Sequence, residues 1–314
     1  MSYPQTNLTG LIGFAKAAGV TGGKGGSVVT VNTLAEFQSA VSGSTAKTVV
    51  LGTSLSSSTL QKVTLGSNKS IIGSFGGANV LKNIHLRATS SSSNIIFQNL
   101  TFKHDVAINA NDDIQLYLNY GKGYWVDHCT WSGHSWSDSD GSLDKLLYVG
   151  DKADYVTISN CYFSNHKYGC IFGHPADDNN ADYNGYPHLT ICHNRYENIE
   201  VRSPGLMRYG YFHVFNNYVN TFQLAFTVAQ NANILSERNV FGSGAEKGGI
   251  VDDKGNGSTF TDNGSSPAAT ASKSSAAKWT ASSNYSYSLM TTSEAKSWAA
   301  AYSGAQNNSL TFPA

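Results

Sequence analysis

Three runs, LTICHNRY (189–196), FHVFNNYV (212–219) and ILSERNVF (234–241), share one pattern. Each is rich in β-formers, passes through a polar residue to an Asn, and ends on an aromatic or aliphatic side chain. Toward the N-terminus, IIFQNLTF (95–102), YWVDHCTW (124–131) and VTISNCYF (156–163) repeat it. Aligned on the pattern, one column reads Asn99, Cys129, Cys161, Asn194, Asn217 and Asn239, and its last two intervals are 23 and 22 residues. A period just over twenty, with longer turns absorbed by insertions, marks a solenoid, because no single unit can bury its own apolar face. Units that are strands make the solenoid a parallel β-helix. Equivalent positions then stack about 4.8 Å apart, so an inward Asn amide can bond to the next one. Cys129 and Cys161 fill that column as small apolar substitutes. A sandwich of short strands would have neither the fixed period nor the Asn column.

Composition agrees. The chain has 314 residues, with abundant Gly, Ser, Thr and Asn, 17 Tyr and 14 Phe, but only 6 Pro and 3 Met. This favours many short strands joined by turns. One domain is expected over 1–314: a cap and first rung in 1–45, coils carrying the site in 46–255, and loops with a short helix in 256–314. LIGFAKAAG (11–19) and TLAEFQSAV (33–41) have helical spacing and are expected to cap the open stack. The four cysteines, Cys129, Cys161, Cys170 and Cys192, lack zinc-site spacing and read as buried thiols, with a disulfide as the alternative.

Charge is scarce. Only 13% of residues are charged, and 21 basic residues balance 21 acidic ones. No global field steers the chain to nucleic acid or membrane, and no stretch is long enough to span a bilayer. MSYPQTNLTG (1–10) has no basic n-region and no apolar core, the marks of a signal peptide. Local charge clusters therefore carry information. NDD (111–113), DSDGSLDK (138–145), HK (166–167), Arg202 and Arg208 fall within or just after the strands of successive rungs. Stacking brings such positions to one side. Asp113, Asp140 and Asp144, hard oxygen donors without His or Cys pairs nearby, suit Ca²⁺. Asp138 reads better as turn chemistry. On charge pattern alone, Lys167 reads equally as a solvated lysine, and Arg202 and Arg208 as braces to Glu197 or Glu200.

TGGKGG (21–26), WVDHCTW (125–131), DGSLD (140–144), NHKYGCIFGH (165–174) and HNRYENIEVRSPGLMRYGYFHVFNNY (193–218) resemble, in order, the signature stretches of the family-one polysaccharide lyases, the pectate and pectin lyases. The resemblance runs from about residue 10 to about 250. It implies a right-handed parallel β-helix and cleavage of homogalacturonan by β-elimination. Carried over, the calcium ligands fall on Asp113, Asp140 and Asp144, with Asp112 as a possible fourth. The substrate-binding lysine falls on Lys167, the proton-abstracting arginine on Arg202 and the substrate-fixing arginine on Arg208. Asp127 and His128 match a structural stretch. The family usually has one residue fewer between its two arginines.

The chemistry is coherent. Polygalacturonate is an array of carboxylates, the anion that a lysine and two arginines would meet. Elimination takes the C5 proton beside the uronate carboxyl and expels the oxygen at C4; cations on that carboxyl would stabilise the developing enolate. The expectation is a calcium-dependent pectate lyase, monomeric and extracellular, with its signal segment absent from this sequence. A pectin lyase on methyl-esterified polymer would use a groove of aromatics such as Trp125, Trp131, Trp136 and Tyr168 without calcium. A polygalacturonase would use carboxylates to activate water, and a non-catalytic β-helix would leave the charge clusters unexplained.

Overall fold

Ten strands, from Ser27–Val31 to Thr259–Asn263, pair in parallel to form the first face of a coil. The computed structural model describes residues 2–5, 8–108, 114–136, 144–173, 180–243 and 249–314. A second sheet bends over at Val80–Arg87, whose first half pairs with Thr101–Lys103 and whose end pairs with Leu116–Leu118. One arm makes the second face, through Thr130–Ser132, Tyr162–Tyr168, Arg195–Val201 and Tyr218–Asn220. The other makes the third face, through Leu147–Val149, Cys170–Phe172, Gly205–Met207, Phe226–Ala229 and Val251–Asp253. Each turn of chain adds one strand to each face, which is the right-handed parallel β-helix.

Alternate residues point inward and stack rung upon rung. Phe102, Trp131, Phe163 and Tyr196 form one internal pile, with successive ring centroids 4.8, 4.6 and 4.9 Å apart. The amide ladder lies beside it. Asn194 Nδ2 donates to Asn217 Oδ1 at 3.0 Å, and Asn217 Nδ2 donates to Asn239 Oδ1 at 2.9 Å. The backbone N–H of Cys161 joins it by donating to Asn194 Oδ1 at 2.8 Å. All four cysteines are buried, unbridged thiols.

Asn99 does not belong to this ladder. The register pairs Thr101 with Thr130, so Leu100 is the residue above Cys129. Asn99 instead heads a neighbouring column of corner residues: Asn99, His128, Asn160, His193, Asn216 and Arg238, all with φ between +46° and +60°. A two-residue corner between the first and second faces demands one left-handed residue per turn, and Asn tolerates that conformation best. Two adjacent columns both rich in Asn are indistinguishable by residue type alone.

The caps divide. Helix α2 (Leu34–Val41) packs on the first strands and closes the N-terminal end, held by a capping box between Thr33 and Glu36. Helix α1 (Gly13–Ala17) lies instead on the outer side of the first face, against Lys122–Asp127, Asp154–Ser159 and His188–Cys192. Its N-terminal amides are taken by sheet threonines: Phe14 N donates to Thr190 Oγ1 and Ala15 N to Thr157 Oγ1, both at 3.1 Å. The C-terminal segment, with helix α3 (Thr292–Tyr302), runs along the corner between the first and second faces.

Candidate active site

The corner from the second to the third face gathers the basic residues. Strand Tyr162–Tyr168 carries Lys167 near its end, and its neighbour Arg195–Val201 delivers Arg202 one residue later. Tyr168 lies opposite Val201, so Arg202 emerges beside the Tyr168 ring. The backbone at Arg202 is left-handed, with φ at +66°, and its carbonyl accepts from Cys170 N at 2.9 Å. Gly169 permits that approach, since a Cβ there would lie 2.4 Å from the Arg202 carbonyl oxygen. A cis Ser203–Pro204 bond follows.

Tyr168 is the hub of the site. Arg202 Cζ lies 5.2 Å from its ring centre, Lys167 Nζ 5.6 Å and Lys145 Nζ 5.9 Å. Three cations around one ring are stabilised by its π face. Among the described residues no carboxylate comes within ion-pair distance of Arg202 or Lys167. The braces expected from Glu197 and Glu200 are not made: Glu197 pairs with Arg195 at 3.2 Å. Burial holds the Arg202 guanidinium below the usual arginine range, and the Tyr168 hydroxyl, Asp144 and Asp252 offset this in part.

Asp144 stands half-buried at the same corner. Its Oδ1 accepts from Lys145 Nζ at 2.6 Å and from Lys145 N at 2.8 Å. His166 Nε2 donates to its carbonyl at 2.6 Å, while His166 Nδ1 accepts from His134 N at 3.3 Å, which sets the His166 tautomer. His134 in turn meets His104 at 3.1 Å. Asp113 and Asp140, and with them Asp112, lie outside the described residues. As a calcium ligand Asp144 brings oxygen, the right donor, but an ammonium already rests on it. Among the described residues no group of three acidic, His or Cys side chains could hold a metal ion. The described donors alone do not make a calcium site.

Arg208 is set apart. It follows Gly205–Met207 at the corner from the third to the first face, and it is 1% exposed. Its Nη2 donates to Asp151 Oδ1 at 2.9 Å, and Cζ lies 3.7 Å from the centre of the Tyr183 ring. The strand between the arginines puts them at its opposite ends. Asp127, fully buried, accepts from Ser159, Asn160, Gln98 and His128, which fits its structural reading. Trp131 belongs to the internal pile and Trp125 is 1% exposed beneath α1, so neither lines a groove. Lys145, Asp151 and Tyr183 went unnoticed in the sequence. Only Lys145 left a signal there, as the residue beside Asp144; the others become neighbours through coil stacking alone.

Comparison with known proteins places the chain. The family model for pectate lyase matches residues 3–308. A pectin lyase of Pectobacterium carotovorum is 80% identical over 313 residues, covering 100% of both chains. A pectin lyase of Pseudomonas marginalis is 60% identical over 99% of each. Among solved structures, a pectate lyase from Bacillus sp. N165 in complex with trigalacturonate superposes with a TM-score of 0.77. It covers 94% of this chain and 98% of its own at 23% identity, a likeness of fold. The chain belongs to the pectate lyase family and is a polysaccharide lyase.

Proposed function

We propose that the chain cleaves α-1,4-linked galacturonan by β-elimination, with Arg202 taking the C5 proton. The observation that carries this is Arg202 itself: a half-buried guanidinium that no described carboxylate neutralises, with two further cations around the same ring. Arginine is a base only when neutral, and burial favours the neutral form of Arg202. In the reaction the C5–H bond gives its proton to Arg202. Its electron pair becomes the C4=C5 double bond, and the C4–O bond breaks with its pair on the leaving oxygen, which is then protonated. Charge builds on the uronate carboxyl before that bond breaks, and Lys167 and Lys145 supply fixed positive charge for it. Arg208, stacked under Tyr183 and paired with Asp151, holds the far end of the strand that follows Arg202; contact with substrate would require Tyr183 to move.

Two forms of the polymer are open to this chemistry. On polygalacturonate, calcium held by Asp113, Asp140 and Asp144 would add the Lewis acidity expected of the family. A second reading, methyl-esterified pectin, is favoured by the Lys145 ammonium on Asp144. That pair leaves less charge for a metal and supplies a cation of its own. The relatives that match over the whole chain are named pectin lyases, which supports the same reading. The Lys145–Asp144 pair and the names of the full-length relatives support the ester.

Ultraviolet absorbance of the unsaturated product tests both. Polygalacturonate and highly esterified pectin are each followed with calcium and with chelator. We expect product from esterified pectin in chelator. Product from polygalacturonate alone, abolished by chelator, would establish the calcium-dependent form instead. New reducing ends without absorbance would remove the eliminative reading altogether.

A further inference from the structure

Strands Cys170–Phe172, Gly205–Met207, Phe226–Ala229 and Val251–Asp253 are neighbours in the third face, and their register aligns Ile171 with Gly205, Gly205 with Thr227, and Thr227 with Asp252. Phe172, Leu206, Phe226 and Val251 belong to the core, so the aligned residues share the outer face. Gly205 sits against the proposed base: a Cβ there would lie 3.4 Å from Arg202 Cγ. Asp252 therefore stands two rungs away, roughly 10 Å along the outside of the coil. Its carboxylate is 24% exposed, and its partner Lys254, 3.0 Å away, is 51% exposed. Following that register from Arg87 through Tyr117, Tyr148 and Ile171 to Asp252, no other position is acidic.

We propose that Asp252 is a specificity residue, disfavouring an unesterified uronate carboxylate over the rungs that follow Arg202 and admitting the neutral methyl ester there. This rests on the eliminative reading above. A polymer lying over Arg202 and following the stacking direction must pass Thr227 and Asp252. A uronate anion beside a partly desolvated aspartate is repelled, and a methyl ester in the same place is not. Lys254 offsets the repulsion only in part, because its ammonium is the better solvated of the two. The same carboxylate acts on Arg202 in the opposite sense, favouring its protonated form. Selectivity and basicity are thus coupled through one side chain.

The measurement is the ratio of kcat/KM on polygalacturonate to kcat/KM on highly esterified pectin, read as unsaturated product. Asp252→Asn should raise the ratio about tenfold, the scale of one like charge at this range in a half-solvated site. Lys254→Met should move it the other way, by about threefold. With added salt the ratio should fall more steeply in Asp252→Asn than in the parent, because in the parent the repulsion is screened along with the attraction of Lys167 and Lys145. A ratio that stays put in Asp252→Asn, that moves the same way in both variants, or that depends on salt identically in Asp252→Asn and the parent would overturn the proposal. A parent that gives no unsaturated product from either polymer would overturn the eliminative reading, and this proposal with it.

Discussion

Arg202 combines three properties that seldom meet in an arginine: partial burial, a left-handed backbone and no described carboxylate partner. Burial and the lack of a described carboxylate partner favour a neutral guanidinium, and the backbone fixes the direction in which the side chain leaves the coil. Because its pKa is lowered, the neutral fraction grows tenfold per pH unit until that lowered value is reached. The rate should climb into the alkaline range until the fold fails. Arg202→Lys keeps a positive charge but loses the planar fork and moves the nitrogen. We expect oligogalacturonide binding near that of the parent and kcat lower by at least ~10³-fold. Lys167→Ala should weaken binding and kcat together, because it meets the carboxyl in ground and transition states alike. A lysine variant retaining most of the parent kcat would send the search for the base to Lys167. Scarce charge and stacked rungs singled out Arg202, Lys167 and Asp144 as candidates, and only the family resemblance gave them roles. Their grouping around Tyr168 was not legible in the sequence, since Lys145 and Arg202 are 57 residues apart and meet only through coil geometry.

At the scale of the element, the asparagine ladder stabilises the corner strands where side chains cannot pack as hydrocarbon. Asn217 is its centre: Nδ2 donates to Asn239 Oδ1, Ile191 O and Phe215 O, and Oδ1 accepts from Asn194 N and Nδ2. Asn217→Ala leaves these buried partners unmatched and opens a void, which should cost about 3 kcal/mol in urea unfolding. Asn217→Cys should cost less, about 1–2 kcal/mol, since Cys129 and Cys161 show that the column accepts a thiol packed against carbonyls. Equal stability of Asn217→Ala and parent would mean that the ladder is ornamental. The sequence revealed this ladder through its period but misplaced Asn99 by one residue. In a strand one residue changes the face, and only pairing register decides it. Arg208 ends at a different corner from Arg202, where the family resemblance implied that both meet the substrate.

The whole molecule is closed by its C-terminal segment, which bonds the entire column of left-handed corner residues. Asn99 Oδ1 accepts from Gln306 N, His128 Nε2 meets Thr311 O, and the Asn160 carbonyl accepts from Gly304 N. His193 O accepts from Ser303 Oγ, Asn216 exchanges two bonds with Met290, and Arg238 donates to Met290 O. Serine- and alanine-rich sequence gave no hint of this beyond a segment lying along the coil, because its partners are corner groups with no periodic signature of their own. The strap works by satisfying polar corners that sharp turns leave without strand partners. One of its large anchors is Trp298 on α3, whose Nε1 donates to Asn160 Oδ1 at 3.0 Å beside the His193 ring. Trp298→Ala should therefore loosen the strap, lowering stability by about 2 kcal/mol, less than a fully buried tryptophan because the ring is only half covered. Proteolysis near the C-terminus should quicken for the same reason. Catalysis should not follow, since Arg202, Lys167 and Asp144 stand on a different corner of the coil. Thermal unfolding, limited proteolysis and kcat/KM measured on one preparation separate these effects. A loss of kcat/KM at a temperature where the variant is fully folded would show that the strap acts on the cleft, and the two corners would then have to be treated as one mechanical unit.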